Sequence, residues 1–138
     1  MSTQLKNFML KEVFLAAQKL RADKEVVLAV VQQDGTALQS AAEALRADKE
    51  IVLAAVRENG YALRFAAREL RADKEVVFAA VQQQHNGRVL NFAAKELRAD
   101  KEVVLAVVQQ NSHALKYAAE ELQADKDIVL AAEQNNKE

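Results

Sequence analysis

Leu20-Arg21-Ala22-Asp23-Lys24-Glu25 is the stretch from which the rest of the chain can be read. The same six residue types return as Leu45–Glu50, Leu70–Glu75 and Leu97–Glu102, and a looser copy runs Leu122-Gln123-Ala124-Asp125-Lys126-Asp127. The copies start at positions 20, 45, 70, 97 and 122, so the intervals are 25, 25, 27 and 25 residues. A fixed period of this size marks a tandem-repeat architecture, in which each unit buries its apolar face against its neighbours.

Downstream of the first copy, the spacing predicts a helix A from Lys24 to about Gln33. Asp23 stands where an N-cap belongs, and Glu25 follows in the first turn, where negative charge suits the helix dipole. The run Val26-Val27-Leu28-Ala29-Val30-Val31 is apolar all round, so helix A should be enclosed on several sides. A buried strand is the alternative for a β-branched run, and the cap and the ten-residue length favour helix. Asp34-Gly35, Asn59-Gly60 and Asn86-Gly87 place all three glycines of the protein at one repeat position. Glycine just past a helix end is expected in the left-handed conformation. The fourth copy has Ser112 there and should form the least comfortable turn, while the third is lengthened around Gln84-His85.

A second helix, B, is predicted over Thr36 to Leu45 and its counterparts. Leu38, Ala41, Ala42 and Leu45 fall at i, i+3, i+4 and i+7, a single apolar stripe. It repeats as Leu63, Ala66, Ala67, Leu70, then Leu90, Ala93, Ala94, Leu97, then Leu115, Ala118, Ala119, Leu122. Val13, Ala16, Ala17 and Leu20 fit the same stripe, so the chain opens on a B helix. Five B–A units result, about 11–34, 36–59, 61–86, 88–111 and 113–134, within one repeat domain over 1–138. Residues 1–10 are expected to cap the N-terminal end, with Phe8, Met9 and Phe14 covering the first flank, and 135–138 to fray. In the last A helix, Asp125 to Gln134, Glu133 replaces the valine of Val31, Val56, Val81 and Val108, a polar C-terminal cap.

Composition narrows the function classes. Nineteen basic against twenty acidic residues leave a formal charge of −1, which removes the usual electrostatic case for nucleic acid or anionic membrane. Absence of cysteine excludes disulfides and thiolate metal sites. No apolar run reaches the ~18 residues needed to span a bilayer, and charges interrupt the N-terminal apolar stretch too early for a signal peptide. The default expectation is a soluble, cytoplasmic protein.

Catalytic machinery is not evident. His85 and His113 lie at non-equivalent repeat positions without metal-ligand spacing, and there is no phosphate loop, nucleophile elbow or histidine–acid motif. No enzyme activity, cofactor or metal is expected. Two sets of residues remain candidates for binding. The first comprises columns that vary between copies while the framework repeats: Thr36, Tyr61, Arg88, His113 at the start of B, and Gln39, Arg64, Asn91, Lys116 three positions on. Drift on a solvated face is the plain alternative. The bordering column Ser40, Phe65, Phe92, Tyr117 is assigned to packing between units. The second set is a basic ladder of Arg21, Lys24, Arg46, Lys49, Arg71, Lys74, Arg98, Lys101 and Lys126. These cations either grip an acidic ligand or pair with acidic residues of the next unit; exposed pairs of that kind are worth ~0–1 kcal/mol.

The units Ala47-Asp48-Lys49-Glu50-Ile51-Val52-Leu53-Ala54-Ala55-Val56 and Asn59-Gly60-Tyr61-Ala62-Leu63 resemble the tandem repeats of the domain of unknown function 4116. The resemblance covers nearly the whole chain and implies helical repeats; it offers no catalytic residue to carry over.

The expected fold is therefore all-α: short helical hairpins of about 25 residues stacked as an elongated, curved α-solenoid, with a compact bundle as the competing shape. The expected function is a non-enzymatic scaffold binding a protein or peptide partner. Head-to-tail self-assembly and an acidic ligand on the basic ladder are the alternatives. Oligomerisation is not favoured, because Glu133 blocks the simplest head-to-tail contact.

Overall fold

A computed structural model describes residues 2–83 and 87–136. Its helices are α1 (Thr3–Arg21), α2 (Lys24–Gln33), α3 (Glu43–Arg46), α4 (Lys49–Glu58), α5 (Arg68–Arg71), α6 (Lys74–Gln83), α7 (Lys95–Arg98), α8 (Lys101–Gln110), α9 (Glu120–Gln123) and α10 (Lys126–Asn136). Four 3-10 helices alternate with them: η1 (Gly35–Ser40), η2 (Gly60–Phe65), η3 (Gly87–Phe92) and η4 (Ser112–Tyr117). There is no strand among the described residues. All extensive contacts join adjacent repeats, so the chain is an all-α stack of tandem units and not a bundle folded back on itself.

The A helices lie where the sequence places them. Each of the five aspartates accepts a backbone hydrogen bond three residues on: Val26 N–H to Asp23 at 3.1 Å, Ile51 to Asp48 at 3.2 Å, Val76 to Asp73 at 3.3 Å, Val103 to Asp100 at 3.2 Å, and Ile128 to Asp125 at 3.3 Å. These bonds satisfy amides that the first helical turn leaves without partners. The valine-rich faces then form one continuous core running from Val27 and Val31 through Ile51, Val56, Val77, Val103 and Val108 to Ile128.

The B segments differ from the predicted helix. The first is α-helical as expected, within α1, but each of the other four is a six-residue 3-10 helix, an extended Ala-Ala pair and a single α-turn. The break has a physical cause one repeat upstream. The second alanine donates its N–H to the carbonyl of the preceding connector arginine: Ala42 to Arg21 and Ala67 to Arg46 at 2.9 Å, Ala94 to Arg71 and Ala119 to Arg98 at 2.8 Å. A continuous helix would spend that donor internally. The apolar positions still face the core, since Leu38, Ala41, Leu63, Ala66, Leu90, Ala93 and Ala118 are all buried.

The glycines also act differently from the expectation. No described residue, glycine included, has positive φ. The residues before Gly35 and Gly60 are extended and cap the 3-10 helices, Asp34 accepting from Thr36 N–H at 3.0 Å and Asn59 from Tyr61 N–H at 2.9 Å. Small size is what matters at Gly35 and Gly87. A Cβ on Gly35 would fall on the Ala55 carbonyl oxygen, and one on Gly87 would fall on Ala114. With Ser112 the fourth turn keeps the same cap, Asn111 accepting from His113 at 2.9 Å. The lengthened third turn, with Gln84, His85 and Asn86, lies outside the described residues.

The chain ends depart further. The N-terminal segment is continuous with the first B helix: α1 runs unbroken from Thr3, capped by Ser2, which accepts from Leu5 N–H at 3.1 Å. Met9-Leu10 stands where later copies have Asp-Gly, Asn-Gly or Asn-Ser, so no turn interrupts the helix. Phe8 and Met9 do not cover the first flank but face outward; the side chain of Phe14 lies outside the described set. At the other end α10 extends to Asn136, past the predicted fraying point, and residues 137–138 are outside the described range. Glu133 is exposed, as a polar end would have it.

Candidate functional site

The connector cations are placed by the stack itself. Lys24 Nζ lies 3.1 Å from Asp48 and 3.2 Å from Glu50 of the next repeat. Lys49 sits 3.0 Å from Asp73 and 2.9 Å from Glu75, and Lys74 sits 3.1 Å from Asp100 and 3.2 Å from Glu102. Lys101 closes the series on Asp125 at 3.3 Å and Asp127 at 2.7 Å. Each of these lysines is thus held between a cap aspartate and a first-turn acid. Their pKa values rise above the ordinary 10.5 because of these hydrogen bonds, from Asp48 then Glu50 at Lys24 and from Glu75 then Asp73 at Lys49.

The cap aspartates respond in the opposite sense. At Asp48 and Asp73, partial burial pushes the carboxyl up. The incoming lysine and the capped amides together outweigh burial and hold it below the ordinary 3.8. At Asp100 burial is again the largest single influence, and the Val103 amide and Lys74 overcome it.

The arginines of the same connectors differ, Arg21 being exposed and Arg46, Arg71 and Arg98 half-buried. Arg21 Nε donates to the Ser40 carbonyl at 2.7 Å, a group freed by the end of η1. In Arg46, Arg71 and Arg98 the equivalent nitrogen is buried without a hydrogen-bond partner. Nine residues proposed from sequence as a ladder therefore do not form a row of free cations. Four lysines are neutralised by the next repeat, and four arginines lie over the repeat junctions. Lys126 has no following repeat in this chain.

The varied columns converge instead on one surface. In a 3-10 helix residues i and i+3 eclipse, so Thr36 and Gln39, Tyr61 and Arg64, Arg88 and Asn91, and His113 and Lys116 each share a ridge. Stacking of η1 on η2, η2 on η3 and η3 on η4 sets these ridges side by side. Between the first three runs an open groove of about 460 Å³, lined by Thr36, Gln39, Asn59, Tyr61, Arg64, Phe65, Arg88 and Phe92. It brings together five of the eight candidates. Asn91, His113 and Lys116 lie further along the ridge, exposed and outside the groove.

Aromatic rings form part of the groove wall, a role the sequence reading missed. Tyr61 and Phe92 meet edge to face, with ring centroids 6.1 Å apart at 71°. The Arg64 guanidinium stacks 4.6 Å from the Phe65 centroid, and Lys116 Nζ lies 5.2 Å from that of Tyr117. Phe65 and Phe92, expected to pack between units, are both half-buried, packing on one side and lining the groove on the other. The sequence signal was the pairing of an aromatic with a cation in Arg64-Phe65 and Lys116-Tyr117. The lining contains no carboxylate, so the groove offers cations, amides and ring faces. Among the described residues no His, Cys, Asp or Glu cluster could hold a metal ion, and no helix is long and apolar enough to cross a membrane.

The profile of a family described as Domain of unknown function (DUF4116) matches the chain four times in tandem, over residues 23–71, 48–98, 73–123 and 100–138. No curated protein and no solved structure matches it.

Proposed function

The chain belongs to the DUF4116 family, and on that footing we propose that it is a non-enzymatic binding scaffold holding an acidic stretch of a protein or peptide along its 3-10 ridge. The carrying observation is the convergence of the columns that vary between copies on one groove, where Arg64 and Arg88 stand beside Tyr61, Phe65 and Phe92 with no carboxylate in the lining. Cations next to exposed ring faces suit a partner that brings carboxylates and an apolar or aromatic side chain. Lys24, Lys49, Lys74 and Lys101 are poorer candidates for such a ligand, because each already holds two carboxylates of its own chain.

Fluorescence anisotropy with short acidic peptides carrying one aromatic residue, against charge-reversed peptides, tests this reading. The acidic series should bind, and Arg64→Ala with Arg88→Ala should weaken it by about tenfold or more, the loss of roughly 1.4 kcal/mol. Lys49→Ala should leave it unchanged. Equal binding of both peptide series would end the proposal, and a loss confined to Lys49→Ala would transfer the site to the connectors.

A further inference from the structure

The N-terminal end of the stack is its most apolar surface. Of the ten large hydrophobic side chains that are exposed among the described residues, nine lie on α1 and α2, including Phe8, Leu10, Val13, Leu20, Val26 and Val30. Val26 and Val30 are 36% and 48% exposed, whereas their counterparts Ile51, Ala55, Val76 and Ala80 are 0% exposed beneath the preceding repeat. With Leu20 they wall an open groove of about 330 Å³ over the core valines Val27 and Val31. Apolar patches of this extent on a folded chain mark contact surfaces.

We propose that the occupant is a second copy of this chain, α1 and the outer face of α2 covering their counterparts about a two-fold axis. Charge is the first argument. In the interior, each cap aspartate and its first-turn acid receive a lysine from the preceding repeat, as Asp48 and Glu50 receive Lys24. Among the described residues Asp23 and Glu25 receive none. Helix α1 carries Lys6, Lys11, Lys19 and Arg21 against Glu12 alone, so a partner α1 brings cations to the edge that lacks them.

Area is the second argument. Leu5, Met9, Val13 and Leu20 lie on one side of α1 by helical spacing, and with Val26 and Val30, all about half exposed, they amount to on the order of 500 Å², near the ~600 Å² that each partner buries at the low end of specific interfaces. The asymmetry of the two ends is the third. A head-to-tail contact would press Glu133, which stands where Val56 and Val108 are fully enclosed, against Val26 and Val30. The tail exposes one large hydrophobic, Leu130, and would leave most of α1 bare. Pairing like ends matches apolar surface with apolar surface and closes at two, as an isologous contact must.

Light scattering on the eluting full chain, across a concentration series, tests the pairing. The expected mass is twice 15.3 kDa, falling toward the single-chain value on dilution. Phe8→Glu with Val13→Glu, both at exposed positions, should raise the dissociation constant at least about tenfold while the circular dichroism stays helical. Glu25→Lys should weaken it less, and Leu130→Glu should not change it. A single-chain mass at every concentration overturns the proposal, as do species that keep growing with concentration or a dimer lost with Leu130→Glu and retained with Phe8→Glu and Val13→Glu.

Discussion

Helices α2 and α8 contain the same ten residues in the same order, Lys24–Gln33 and Lys101–Gln110, in unlike surroundings. In α8, Val103 and Val107 are 0% and 1% exposed; in α2 the equivalent Val26 and Val30 stand open. Nothing within the ten residues accounts for the difference. It comes from the presence or absence of a preceding A helix. The connectors repeat the lesson: Asp100 caps α8 and takes Lys74, while Asp23 caps α2 and, among the described residues, takes no lysine from upstream. One local sequence serves an interior and an edge, and its energetic weight is set by position in the stack, as nearest-neighbour arrays require.

The strongest way to break the comparison is one substitution made twice. Val103→Asp buries a charge with no partner and should lower unfolding free energy by about 3–5 kcal/mol. Val26→Asp, in an identical helix, should lie within roughly 0.5 kcal/mol of the parent when measured dilute. Urea denaturation of both variants decides; equal losses would mean that position in the array is irrelevant. Gly35→Ala comes next. Its Cβ must displace the Ala55 backbone, a contact between repeats, at an overpacking cost of ~1–3 kcal/mol visible in the thermal midpoint.

The smallest effect sharpens the comparison. Asp23→Ala should cost the cap, about 1 kcal/mol, and Asp100→Ala the cap plus a few tenths of a kcal/mol, roughly, for the lost lysine contact. The pH dependence follows with its sign. Asp48, Asp73 and Asp100 titrate below 3.8 in the folded chain, so the stability they contribute is present above that value and is lost as pH falls through their lowered pKa values. Lys24, Lys49, Lys74 and Lys101 titrate above 10.5, so theirs is complete below 10.5 and lost above it. Thermal midpoints should be nearly flat between about pH 5 and 10, with Asp100→Ala shallower than the parent on the acid side.

What could be read in advance follows the range of each interaction. Asp23 and its four copies were legible as caps because donor and acceptor lie three residues apart. The B segment was not, because i and i+3 spacing fits an α-helix and a 3-10 helix alike. Its break depends on a carbonyl 21 residues upstream, as at Ala42 and Arg21. The varied columns were legible as a surface, and Phe65 and Phe92 were only half read, since a groove wall and a packing contact use the same ring.

Sequence alone determined the period, the A helices, their caps and the all-α tandem plan, since these rest on local hydrogen bonds and on apolar spacing within one unit. Tertiary structure decided the rest. It made glycine a matter of space at Gly35, broke the last four B segments at Ala-Ala, and set Lys24 between Asp48 and Glu50. It also left Val26 bare where Val103 is sealed. Each of these depends on atoms a full repeat away, and only the stacked chain brings them within reach.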